Sequence, residues 1–250
     1  MKWKTAISKI SDGKEIIRGL DLQELIREKS FVETIYLVLK GKLPKKQEAR
    51  MLNALFTAGI DHGVGAPSTT VARTVASTGN SLHAAAAAGV LAMGELHGGA
   101  IEGAAKFFQE HLGNFPRTPS WKEGEVEALV RGLKDRKVKI PGYGHKVLTH
   151  DHRVDTLFKV AKETGFYGEH CKFAESVGAA LNKISSKKLP LNVDGAMAAV
   201  VADMGFDWRL AKGFFIISRM PGLVAHIYEE LVSGEGIKRI DEEDIEYLGS

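Results

Sequence analysis

Along most of this chain apolar residues recur every three to four positions, as helices with one buried face require. The N-terminus differs. Runs 3–10 and 14–18 are strand-like and flank Asp12-Gly13, a dipeptide suited to a tight hairpin turn. They predict a β-hairpin as the only sheet. From Asp21 onward the pattern is helical. Ser30-Phe31-Val32-Glu33 is a capping box, in which the serine oxygen accepts from the amide three residues on and the glutamate reaches back. The helix it opens runs to a stop at Gly41. Pro44 lies near the start of another that reaches Ala58, with Met51, Leu52, Leu55 and Phe56 on one face. Further helices are predicted over 81–93, 98–112, 123–134, 153–164, 169–184, 193–204 and 208–218, then 221–231 after a break. The first of these is alanine-rich, as close helix–helix packing requires. Segment 114–120, with Pro116 and Pro119, reads as a surface loop. The prediction is an all-α protein of about ten helices behind an N-terminal hairpin.

At 250 residues, 44% hydrophobic and 26% charged, the chain suits one large or two small domains and can bury a substantial core. The net charge of +3, without a Lys/Arg block, leaves no footprint for nucleic acid. A small anionic substrate needs only a local basic pocket. The single Cys171 excludes an intrachain disulfide framework, fits a reducing compartment and reads as a small buried apolar residue. Residues 1–11 lack the apolar core of a secretion signal. The longest apolar stretch, 84–93, falls short of the roughly 20 residues that span a bilayer. These features predict a soluble, cytoplasmic protein with neither nucleic-acid nor membrane partner.

Three glycine-bearing strings carry the candidate chemistry: Gly-Glu-Leu-His-Gly-Gly at 94–99, Pro-Gly-Tyr-Gly-His-Lys at 141–146 and Leu-Asn-Val-Asp-Gly at 191–195. Each sets one titratable side chain, His97, His145 or Asp194, beside glycine, which lets backbone approach a ligand closely. Two imidazoles and a carboxylate can move a proton beside one carbonyl while polarising another. His97, at a predicted helix start, would be kept neutral by the positive helix end and could donate to an enol oxygen. The simpler alternative is a buried histidine bonded to a backbone carbonyl. Asp194 also suits a helix N-cap.

The order and spacing of these strings, with Asp61-His62-Gly63 upstream and Ser218-Arg219 downstream, resemble the citrate synthase superfamily, which includes the citryl-CoA lyase module that closes ATP-citrate lyase. The likeness spans nearly the whole chain and is specific at the motifs. It implies a large helical domain and a smaller mobile one, here about 107–214, that closes over coenzyme A. It also implies a coenzyme A thioester as substrate, with no metal or prosthetic group. On this resemblance Asp194 takes or returns the α-proton and His97 holds the enol oxygen. His145 polarises the oxaloacetate carbonyl or the citryl hydroxyl, with His62 as its partner. The backbone of Ile140, Pro141, Gly142, Tyr143 and Gly144 grips adenine, while Lys146, Lys187 and Lys188 meet phosphates.

Planar guanidinium forks match carboxylates bidentately. The resemblance gives that task to Arg153, Arg219 and Arg239, the last in a tail that reaches the neighbouring subunit's site. A homodimer or dimer of dimers follows. The 191–195 string and the Arg239 tail look lyase-like, as does the short chain; His97 looks synthase-like. Without a Walker-type or Gly-x-Gly-x-x-Gly loop, the lyase would receive citryl-CoA ready-made from a separate synthetase. The expected reaction cleaves citryl-CoA to acetyl-CoA and oxaloacetate; the alternative is citrate or 2-methylcitrate synthesis.

Nine histidines invite a metal reading, and His150-Asp151-His152 could belong to an all-α phosphohydrolase. No His-Glu-x-x-His or ordered series of further ligands accompanies it, and the same residues suit the cap of the helix beginning near Arg153. A non-catalytic citrate or coenzyme A-binding regulator would not need Asp194, His145 and His97 together.

Overall fold

A computed structural model describes residues 2–112, 121–144, 150–185, 188–233 and 236–249. Strands β1 (Ser8–Ser11) and β2 (Lys14–Ile17) pair antiparallel around Asp12 and Gly13, whose φ angles of 53° and 74° give the twist a tight hairpin needs. A strand the sequence pattern misses, β3 (Leu20–Asp21), adds to β2. Two residues are too few to show alternation.

Eleven α-helices follow among the described residues: α1 (Leu22–Glu28), α2 (Phe31–Lys40), α3 (Lys46–Ala58), α4 (Pro67–Ser77), α5 (Leu82–Leu91), α6 (Ala100–Leu112), α7 (Glu123–Asp135), α8 (His152–Thr164), α9 (Glu169–Ile184), α10 (Val193–Asp203) and α11 (Ala211–Ser233). The expected capping box opens α2, with Glu33 N–H donating to Ser30 Oγ (3.3 Å) and Ser30 N–H to Glu33 Oε2 (2.9 Å). Gly41 ends that helix in the left-handed region, at φ 78°.

Two helices depart from expectation. α4 is absent from the sequence reading because Thr69, Thr70, Val71, Thr74 and Val75 are poor helix formers. The Thr74 hydroxyl bonds back to the Thr70 carbonyl, and buried Ser68 and Thr69 face inward. Pro67 at the first helical position was the available signal. The predicted break before 221–231 does not occur, since α11 runs through Pro221 as one 23-residue helix. Packing overrides the proline on both sides. The buried Arg219 Nε donates to Gly59 O, and Gly222 lies so close to Ile60 that a Cβ would fall 2.5 Å from its carbonyl oxygen.

By length and composition the Trp208–Ser233 stretch could cross a membrane. Here α11 instead packs on α3, α4, α5 and α6, with Arg219 and Glu230 buried along it. α10 is apolar on every face and buried from Gly195 to Ala202, as a central helix must be. It lies against α6, α8 and α9. Its small side chains allow that approach, and its N-terminus emerges at the site.

Candidate active site

The N-terminus of α10, the turn after α5, the segment after α3, the start of α8 and the middle of α11 meet at one cavity of about 160 Å³. These five elements bring Asp194, His97, His62, Arg153 and Arg219 to its wall. Five residues from five separate stretches of sequence therefore share one space.

His97 is positioned by α4. Ser68 N–H, a free amide of that helix's first turn, donates to His97 Nε2 at 3.3 Å, and the Ser68 hydroxyl lies 2.8 Å from the same nitrogen. A backbone amide can only donate, so Nε2 holds the lone pair and the neutral ring carries its proton on Nδ1. Burial, then the Arg219 charge, then His62 push His97 below the usual histidine value. The ring is thus favoured in its neutral form, for a cause the sequence did not suggest: burial dominates, and the helix end bonded to the ring belongs to α4 rather than α6.

Asp194 is not the cap of α10. Asn192 is, its Oδ1 accepting from Gly195 N–H at 3.0 Å, which leaves Asp194 in the first turn facing the cavity. A carboxylate there sits at the positive end of the helix. Asn192 also ties in the glycine loop. Its N–H donates to Gly142 O (3.0 Å) and its Nδ2 to Gly144 O (2.9 Å), while Gly144 N–H donates to Pro190 O (2.7 Å). Gly142, at φ +87°, packs so tightly on Gly195 that a Cβ on Gly195 would sit 2.5 Å from Gly142 O. Side chains are excluded from both positions.

Arg153 is held by Asp151, the N-cap of α8. The carboxylate takes Arg153 Nε and NH2, each at 2.9 Å, and also Val193 N–H at 3.1 Å. Burial alone would raise the Asp151 pKa, but the Arg153 fork and the two amides outweigh it and hold the carboxyl below its ordinary value. One buried acid thus links α8, α10 and a cavity arginine. Arg219 is different: Nε donates to Gly59 O (2.9 Å), the guanidinium lies over Phe215, and buried NH1 has no partner among the described residues. Burial pushes its pKa down, against the pull of Asp61 and Asp194.

Ile140 and Tyr143 line a second, mostly apolar cavity of about 470 Å³, edged by Lys134, Lys137 and Lys139. Pro141, Gly142 and Gly144 form the loop beside it. The sequence reading did not select Lys134, Lys137 or Lys139 as site residues, nor Asn192, Asp151 and Ser68; their signals were only proximity to the motifs and the capping preference of Asn and Asp. Lys188 is exposed and lines neither cavity. His145, Lys146 and Lys187 lie outside the described residues. Arg239 is exposed at a third cavity against α4, apart from the cavity that Arg153 and Arg219 line.

Fold and site together define a helical protein that gathers two histidines, an aspartate and two arginines at one cavity. The chain belongs to the citrate synthase family: the family described as citrate synthase, C-terminal domain, matches residues 44–240. Its structure is similar to that of citryl-CoA lyase from Hydrogenobacter thermophilus, with TM-score 0.91 and 50% identity over 99% of this chain and 95% of that one. ATP citrate lyase from Methanothrix soehngenii, solved in complex with citrate and coenzyme A, shares the fold. That match has TM-score 0.85 and 24% identity over 100% of this chain and 42% of the other. Citrate synthase 2 of Bacillus subtilis is 33% identical over 86% of this chain and 56% of its own length. The chain spans about half the length of that curated relative.

Proposed function

We propose that this protein cleaves citryl-CoA to acetyl-CoA and oxaloacetate. The carrying observation is the buried Arg219, whose NH1 has no partner among the described residues, in the same cavity as His97 and Asp194. A buried guanidinium with an unsatisfied donor is costly unless an anion completes it, and a carboxylate is the matching fork. Arg153 offers a second cation at the same cavity. The 50% likeness to a citryl-CoA lyase over nearly both whole chains favours the cleavage direction.

In this reading His62, with His145, accepts the proton of the tertiary hydroxyl. The bond between the hydroxyl-bearing carbon and the thioester α-carbon breaks, leaving the oxaloacetate carbonyl and a thioester enolate. His97 Nδ1–H donates to the enol oxygen, and protonated Asp194 delivers its proton to the α-carbon. Arg153 and Arg219 hold carboxylates, and Arg239 serves the site of a second copy. Coenzyme A lies with its adenine against Ile140 and Tyr143. Its phosphates lie near Lys134, Lys137 and Lys139, with Lys146, Lys187 and Lys188 as further point charges. The part from about 107 to 214 closes over it, excluding water that would otherwise hydrolyse the thioester.

The working unit is a homodimer or dimer of dimers. Leu91, Leu96, Tyr228 and Val232 leave apolar surface exposed that a second copy would cover. No metal or prosthetic group enters these steps. A separate synthetase supplies citryl-CoA, and both act in the cytoplasm.

The test is deuterium exchange into the methyl group of acetyl-CoA with oxaloacetate present. Asp194→Asn should keep coenzyme A binding and lose exchange by roughly 10²–10⁴-fold, the usual cost of removing a general acid–base group. Unchanged exchange would remove Asp194 from the mechanism. Citrate synthesis is the second reading, favoured by His97 and by the 33% identity to a citrate synthase.

A further inference from the structure

Neighbouring residues at the entry to α8 face opposite ways. Asp151 and Arg153 point inward, where the acid is buried and fully bonded. His150 and His152 are exposed and converge on Asp155 in the first turn of the helix. His150 Nε2 lies 2.6 Å from Asp155 Oδ2, and His152 Nδ1 lies 3.7 Å from the same oxygen. The two rings are 4.9 Å apart, edge to face. One donor atom from each residue lies within 4.8 Å of the others, and no other such triad occurs among the described residues.

A hydrogen bond between His150 and Asp155 accounts for the first contact. It does not account for a second imidazole turned toward the same carboxylate oxygen. Donors bound at 2.0–2.1 Å to one tetrahedral zinc stand about 3.3 Å apart. The 2.6 and 3.7 Å separations straddle that value, and all three side chains are exposed enough to adjust by rotation. We infer that His150, His152 and Asp155 form a binding site for a transition-metal dication of the zinc or cobalt class. Two imidazoles and one carboxylate select such ions over magnesium or calcium, and three protein ligands leave a position for water. The site stands outside the reaction, since its ligands are exposed and none of them lines the cavity. An ion there would join the residue preceding the α8 cap to the first turn of the helix, stiffening the mount of Arg153.

Metal-free protein titrated with Zn²⁺ by calorimetry, and with Co²⁺ by visible absorption, tests this. The expected result is one equivalent per chain and a cobalt spectrum of four-coordinate intensity. His150→Ala and His152→Ala should each weaken binding by at least about tenfold, the lower limit for loss of even an outer-shell partner. The double variant should bind no equivalent of comparable affinity. Zinc should raise the melting temperature of the parent protein and leave the double variant unchanged, because only a ligand of the folded state stabilises it. His83→Ala, exposed on α5 and outside the triad, should bind like the parent. Zinc bound by the double variant with parental stoichiometry and affinity would overturn the inference, as would loss of binding in His83→Ala. Circular dichroism confirms that the surface variants are folded before either result is read.

Discussion

Arg219 sits where a charge is expensive, and its surroundings satisfy only part of it. Gly59 O takes Nε, the Phe215 ring covers the guanidinium plane, and buried NH1 has no acceptor among the described residues. Replacing it by a similarly sized apolar side chain removes the desolvation penalty together with the anion site. Arg219→Met should therefore leave the melting temperature of ligand-free protein unchanged or higher. Citrate binding should weaken by about 2–5 kcal/mol, the range for truncating one partner of a buried charge pair. The same substitution bears on His97. A cation beside an imidazole disfavours its protonated form, so removing Arg219 should move the His97 titration, followed by NMR, upward toward the ordinary value of 6.5. A downward movement, or a fall in melting temperature with citrate binding intact, would refute this view of the pair.

Among the elements, the start of α8 and the start of α10 are locked together by Asp151, which holds Arg153 and caps Val193 N–H. Its folded pKa lies below the ordinary value of 3.8. A group of this kind contributes stability above the unfolded pKa and loses it as pH falls through the lower, folded one. Asp151→Asn should accordingly be less stable than the parent at neutral pH, with the gap closing only below about pH 4 in a series of denaturant melts. A gap independent of pH would show that shape, not charge, is what Asp151 supplies. The sequence makes these elements legible unevenly. Ser30, Glu33 and Gly41 announce α2 because caps act locally. α4 hides behind β-branched residues, and α11 behind Pro221, because long-range packing outweighs local preference in both. The same reasoning explains Asn192. Its preference for capping was readable two residues before Asp194, but its bonds to Gly142 and Gly144 depend on a loop some fifty residues away.

For the whole molecule, the motifs and the family resemblance they carry pointed to His62, His97, Asp194, Arg153 and Arg219, and the fold brings all five to one cavity. Spacing could not reveal the lysines around the second cavity, since Lys134 comes from α7 and meets Ile140 and Leu181 only after folding. Arg239 lies away from the five within its own chain, at the cavity against α4. If each site takes Arg239 from a second copy, two-fold symmetry makes the exchange reciprocal. Mixing Arg239→Ala subunits with Asp194→Asn subunits would then create one doubly damaged and one intact site per mixed dimer, and activity should return. No recovery after demonstrated subunit exchange would place Arg239 in its own subunit's site or in none.

The direction of the chemistry is the central claim, and the fate of citryl-CoA tests it most directly. Purified protein is given citryl-CoA without ATP, with oxaloacetate coupled to malate dehydrogenase and free thiol to a chromogenic disulfide. Cleavage by the site described predicts oxaloacetate and acetyl-CoA in equal amounts with little thiol. Thiol and citrate appearing instead, with little oxaloacetate, would contradict the lyase assignment and establish the hydrolytic half of a citrate synthase.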